Sequence, residues 1–214
     1  MKPTELNALR YEPAHGDTDA GLRRRPTPDF NPEWKVIELP PPIVNHDLVQ
    51  VVKEMRENHR LLEDPQILRI RWEDREDVEA IFIKALEEMG FRVPKTVRVE
   101  AEKLSEQLAT IGLHFKDKFK RIRPNRWLEA NERTFRFPEA ITGKSPSYPS
   151  NHALIGAFLG DWFAKKYPRA AEAMEVLGKQ VGWNRVSAGF HFPDDYGMGR
   201  VLARKLWPLY RGEA

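Results

Sequence analysis

The sequence predicts an all-α fold: a helical bundle of about six to eight helices with an irregular, proline-rich N-terminal arm. Three observations carry that expectation. Apolar residues recur at helical spacing from Leu48 to Leu206, no segment alternates convincingly with period two, and the prolines fall ahead of or between the periodic stretches. At 214 residues the chain has the length of one ordinary domain with a sizeable core. The expected division is an arm over 1–46 and a helical domain over 47–214.

Pro3, Pro13, Pro26, Pro28, Pro32 and the run Pro40-Pro41-Pro42 forbid long helices in the arm, because proline lacks an N–H and restricts the residue before it. Trp34, Val36, Ile37 and Leu39 predict that its second half docks on an apolar surface. Leu48, Val51, Val52, Met55 and Leu62 then share one helical face. Val78, Ile81, Phe82, Ala85, Leu86 and Met89 repeat the pattern, with Gly90 as the stop. After Pro94, a long stripe runs through Val97, Ala101, Leu104, Leu108, Ile111, Phe115 and Phe119, and that helix ends before Pro124. Residues 124–149, punctuated by Pro138, Gly143, Pro146 and Pro149, predict a long loop, and loops of that length are usually functional. Ser150 suits the N-cap of a helix to about Lys166. Its run from Ala153 to Gly160 is apolar on every side, which predicts a buried central helix. Gly156 and Gly160, one turn apart, would let a neighbouring helix approach closely. Pro168 opens another helix, with Ala170, Ala173, Met174, Leu177 and Val181 inward. The last begins near Pro193, a favoured first-turn residue, and carries Val201, Leu202 and Leu206.

Composition narrows the function classes. Ala153–Gly160 is the most apolar stretch and stops at Asp161, far short of the roughly 20 apolar residues of a bilayer crossing. The segment from Met1 to Leu6 has no apolar leader run, and there are no cysteines. The expectation is a cytoplasmic protein with no membrane span, no disulfide, no thiolate chemistry and no Cys-ligated metal. Thirty-five basic and 32 acidic residues leave a net charge of +3, too even to argue for a nucleic-acid partner. Locally, Lys116, Lys118, Lys120, Arg121, Arg123 and Arg126 crowd together, which alone reads as a solvated helix face.

Three fragments carry chemistry. The first is Lys116-x6-Arg123-Pro124, two cations near the end of a helix. The second is Pro149-Ser150-Asn151-His152. A capped helix start leaves first-turn amides, here those of Asn151 and His152, without partners inside the helix, and the helix dipole favours an anion there. The Ser150 hydroxyl adds a donor, and His152 sits beside the same point. The third is Arg185-x5-His191-x3-Asp195. A carboxylate across the Pro193 turn can fix the tautomer of His191 and leave the other ring nitrogen free to attack. Arg185 offers a fork-shaped phosphate ligand. Each fragment alone has an ordinary structural explanation. Nine of their ten named positions, Asn151 apart, are each matched by chance roughly one time in twenty, so coincidence is a poor account of the set.

These residues resemble the pattern of the phosphatidic acid phosphatase type 2 and vanadium haloperoxidase superfamily, K-x6-RP, PSGH and SR-x5-H-x3-D. The likeness spans residues 39 to 207 and looks closest to the soluble bacterial class A nonspecific acid phosphatases, through Ser147-Tyr148-Pro149-Ser150 and the run Leu39-Pro40-Pro41-Pro42. The resemblance implies a phosphomonoester hydrolase without a metal cofactor, acting on a small phosphorylated substrate, with vanadate as a phosphate mimic. It implies His191 as the nucleophile, Asp195 as its orienting group and His152 as general acid and base. Lys116, Arg123, Arg185, Ser150 and the Asn151 amide would bind the phosphoryl oxygens. Asn151 departs from the family glycine, so its side chain would crowd the phosphate or bond to it; Asn184 replaces a serine. Two other readings stand beside this one: a vanadate-dependent haloperoxidase, and a catalytically weak relative that binds phosphate or nucleic acid. Homo-oligomerisation is left open.

Overall fold

The structure, a computed structural model, describes residues 27–43, 51, 53–55, 57, 60–129 and 145–212. Among these, seven α-helices account for the fold: α1 (Asp64–Glu73), α2 (Val78–Glu88), α3 (Lys95–Phe119), α4 (Pro124–Glu129), α5 (Asn151–Lys166), α6 (Ala171–Ser187) and α7 (Pro193–Leu206). No strand occurs among the described residues, only an isolated bridge between Phe30 and Tyr210. The all-α expectation therefore holds. Residues 1–26, Leu48, Val52 and the loop centre 130–144 lie outside the described residues.

The central position of α5 follows from its composition. With Leu154, Phe158, Leu159, Trp162 and Phe163 all fully buried, it packs against α6, α7, α3 and α2. The closest approach is to α6. A Cβ on Gly178 would lie 2.3 Å from Gly156 O, and one on Gly160 would lie 3.0 Å from Met174 O. The predicted small-residue contact is thus made, and it brings the two backbones together without intervening side chains. α3 presents its stripe as expected, with Ala101, Leu104, Leu108, Ile111 and Phe115 buried. α2 ends in a Schellman motif: Gly90 at φ +83° donates to Glu87 O while Phe91 donates to Leu86 O.

Three expectations need correction, and one helix was not expected. Residues 124–129 are helical, not loop, because Pro124 stands where helix φ is already set and no N–H is needed. α1 had no prediction at all. Half of its residues are polar or charged, and it is started by Pro65 and a reciprocal capping box between Glu63 and Gln66. Met89, placed on the apolar stripe of α2, is the exposed C-cap instead. In the arm, Trp34 and Leu39 dock in the core as expected, joined by Phe30, but Val36 is 77% exposed. The arm is held by the backbone bond from Asn31 N to Leu209 O at 2.8 Å and by Asp29 N to Gln107 Oε1 at 2.8 Å. No helix of the described residues is long and apolar enough to cross a membrane.

Candidate active site

Ser150 caps α5. Its Oγ accepts from Ala153 N at 3.3 Å, and its own N–H donates to Asp195 O at 3.0 Å. That second bond ties the start of α5 to the first turn of α7. The first-turn amides of α5 and the positive end of its dipole therefore face a fixed point.

The basic crowd divides into two sets. Lys118, Lys120 and Arg126 are exposed, as a solvated face would be. Lys116, Arg121 and Arg123 are buried, contrary to that simple reading. Lys116, at 1% exposure, donates from Nζ to Pro146 O and to Ser147 O, the latter at 3.3 Å. Beyond α3 the chain turns at Lys120, which adopts φ +49°. Arg123 then reaches back. Its Nε donates to Ser145 O at 2.7 Å and its Nη1 to Phe190 O at 3.0 Å, while Nη1 lies 3.3 Å from His191 Nε2. Arg185, in the last turn of α6, donates to Asp74 Oδ1 and lies over the Phe190 ring at 4.7 Å. Ser145, Pro146 and Ser147, the far end of the predicted loop, thus furnish the carbonyls that hold two of the three cations.

His191 and Asp195 face each other, with Nδ1 3.5 Å from Oδ2, an approach that brings the pair together without making the hydrogen bond the sequence suggests. Asp195 is fully buried. Its Oδ2 also accepts from Phe192 N at 2.8 Å, closing the first turn of α7. His191 therefore turns Nδ1 to the carboxylate and Nε2 to the Arg123 guanidinium. His152, in the first turn of α5, is half-buried.

Electrostatics reports the convergence. The His191 pKa is held well below the ordinary histidine value, first by burial and then by Arg123, Lys116 and Arg185. His152 is likewise pushed well down, by burial and then by Arg185, His191, Arg123 and Lys116. The same three cations act on both imidazoles. Lys116 is itself lowered, by burial first and Arg123 second, against the pull of Asp195. Three buried cations crowd each other around two imidazoles, and a bound anion would offset their mutual repulsion.

Asn151 does not behave as expected. Its side chain neither crowds the anion point nor points into it. Nδ2 donates to Ala109 O of α3 at 3.3 Å, and Oδ1 sits over Gly112.

Three residues at the site had no assigned role. Arg121 donates from Nη1 to Asp195 Oδ1 at 2.5 Å and to both oxygens of Asp194 at 2.8 Å. Asp74 holds Arg185, and Glu73 accepts from Asn184 Nδ2 at 2.7 Å. Nothing local marks Arg121 as the partner of Asp195, which lies 74 residues away. Nothing local marks Asp74, whose partner is 111 residues away.

Among the described residues no three His, Asp or Glu side chains gather as a metal site. A cavity of about 580 Å³ lies apart from the cluster, between α1 and the outer face of α6, lined by residues including Gln66, Arg69, Trp183 and Asn184.

A family model of the PAP2 superfamily matches residues 104–210, a span that takes in every predicted site residue from Lys116 to Asp195. No curated protein matches the chain.

Proposed function

Because the chain belongs to the PAP2 superfamily, we propose that it hydrolyses small phosphomonoesters through a phosphohistidine formed on His191. Membership by itself supports a phosphatase-type activity. The observation that carries the finer reading is the shared field of Lys116, Arg123 and Arg185 on both His152 and His191.

In this reading the phosphoryl oxygens are bound by those three cations and by the first-turn amides of α5. His191 Nε2, adjacent to the Arg123 guanidinium, attacks phosphorus. An N–P bond forms as the P–O bond to the leaving group breaks. His152 donates a proton to the departing oxygen and then takes one from the water that attacks the phosphohistidine, releasing inorganic phosphate and His191. Asp195 orients the ring from Nδ1 and stabilises its positive charge. The depressed His191 pKa keeps its lone pair available. Burial and the flanking cations both depress the His152 pKa; a bound phosphate dianion offsets the share due to Arg185, Arg123 and Lys116 and so moves the imidazole toward its protonated form.

The test is hydrolysis of an aryl phosphate and a panel of alkyl phosphates, with and without chelator, from acid to neutral pH. Trapping of a phosphorylated His191 on rapid alkaline quench is expected, because the N–P bond survives base and not acid. Absence of hydrolysis across the panel overturns the reading. Peroxide-dependent halide oxidation with added vanadate would assign the pocket to haloperoxidase chemistry instead.

A further inference from the structure

Arg121 sits where the end of α3, the first turn of α7 and the N-terminal arm meet. Its guanidinium, only 9% exposed, makes an ion pair with Asp195 at 2.5 Å and with Asp194 at 2.8 Å. It also lies over the Phe192 ring at 4.2 Å. The arm completes the assembly from the other side. Ile43 O accepts from Arg121 Nη2 at 3.3 Å, and Ile43 N donates to Asp194 Oδ2 at 3.2 Å. Three residues earlier, at the start of the proline run, Pro40 O accepts from Tyr148 OH at 2.5 Å. The backbone of Arg121 is fixed as well, since its carbonyl accepts from Ser147 N at 2.9 Å.

The consequence falls on Asp195. Its Oδ2 faces Phe192 N and His191 Nδ1, while its Oδ1 is taken by Arg121. A carboxylate gripped on one oxygen cannot rotate without breaking a buried charge-assisted bond, so the other oxygen stays turned to the imidazole.

We propose that Arg121 is a positioning residue for the reaction: it holds the Asp195 carboxylate in the orientation that serves His191, and Ile43 of the arm holds Arg121 in turn. This rests on the phosphatase reading for its catalytic meaning but not for its physical content. Arg121 does not reach the anion point and touches neither imidazole. Its influence is through Asp195 alone. Around that carboxylate stand Arg121 and Lys116 from α3 and its extension, His191 and Asp194 beside it, and Tyr148 from the segment before α5. Around His191 stand Lys116, Arg123, His152, Arg185 and Asp195.

The sign of the coupling is fixed by charge. Arg121 offsets part of the Asp195 charge. Without it the carboxylate attracts the His191 imidazolium more strongly, and the ring binds its proton more tightly.

The experiment compares wild type, Arg121→Gln and Arg121→Lys in full-length chain. It reads kcat and KM for an aryl phosphate, folded fraction by circular dichroism, and the His191 ring titration by NMR. For Arg121→Gln, kcat should fall by roughly 10- to 100-fold, the scale on which removing an outer partner of a functional ligand acts. KM should stay near wild type, because Lys116, Arg123 and Arg185 are untouched, and the His191 titration should move upward. Arg121→Lys keeps the charge but, as a point donor, cannot hold Asp195 and Ile43 together. It should leave the titration near wild type while lowering kcat several-fold, and it serves as the test if Arg121→Gln does not fold. An unmoved titration in folded Arg121→Gln, or an unchanged kcat in Arg121→Lys, overturns the proposal. The two readings fail separately: a wild type without hydrolysis ends the phosphatase assignment, whereas the titration still reports on Arg121.

Discussion

Asn151 and Gly112 are complementary: the Asn151 side chain fills the space that a Cβ on Gly112 would need, with Oδ1 2.0 Å from that position. The pair joins the first turn of α5 to α3, and the Asn151 amide adds a bond to Ala109 O. An asparagine in the place of the glycine of the resembled pattern is thereby accommodated without entering the anion point. Gly112→Ala should destabilise the protein by about 1–3 kcal/mol, the usual cost of an overpacked core position. Adding Asn151→Gly should restore it, since the clash is removed and alanine is the better helix former by up to about 1 kcal/mol. Urea denaturation of both single variants and the double variant measures this. A coupling below about 0.5 kcal/mol would mean that the two residues do not meet.

His191→Ala and His152→Ala should separate the two proposed roles. The first should abolish hydrolysis of an aryl phosphate while the far-ultraviolet spectrum and denaturation midpoint show a folded protein. The second should impair alkyl phosphates more than aryl phosphates, because a good leaving group needs less protonation. Equal losses on both substrates would remove His152 from the general-acid role.

The His191 shift makes two statements about pH. Its folded-state pKa lies below its unfolded value of about 6.5. Below 6.5 the unfolded chain binds a proton that the folded state excludes, so stability falls as pH falls, by up to about 1.4 kcal/mol per pH unit for this group until its own folded pKa is reached. Above 6.5 the group contributes nothing further to the slope. The same neutrality keeps the nucleophile competent, so the acid limb of kcat/KM should lie below the ordinary histidine range. Thermal melts and rate profiles between pH 4.5 and 8 test both. A limb centred at or above about 6.5 would contradict the buried, cation-flanked imidazole.

The legible part of the fold was whatever burial writes into local pattern. The α3 stripe, the all-apolar turn of α5 and the Gly156 and Gly160 pair each have one periodicity and one consequence. α1 was invisible because its burial is carried by Ile70 and by polar Glu73, which reads as surface. At the site, the three motifs named residues that do converge, since their spacing is set by helix ends and prolines. Their holders were not legible: Asp74 meets Arg185 across 111 positions and Arg121 meets Asp195 across 74, distances over which only the folded chain creates a neighbourhood. The side-chain direction of Asn151 was misread for the same reason, because it depends on a missing Cβ in α3.

The Arg185–Asp74 pair sets stability against affinity. Arg185 is almost wholly buried, and burial lowers its pKa while Asp74 opposes that effect. Asp74→Asn keeps the shape and an acceptor but removes the counter-charge. Weakening a buried ion pair from one side leaves a poorly compensated cation, and full removal of a partner costs about 3–5 kcal/mol, so Asp74→Asn should be destabilised toward that scale. The same uncompensated charge raises the positive potential at the anion point. Orthophosphate should then bind the variant more tightly than wild type and recover part of its lost stability, since a ligand at 100 times its Kd adds about 2.7 kcal/mol. Calorimetric titration with orthophosphate and melts with and without it decide the matter. Lower stability with tighter binding supports Asp74 as a counter-charge, whereas lower stability with weaker binding would make it the residue that aims Arg185 at the phosphate.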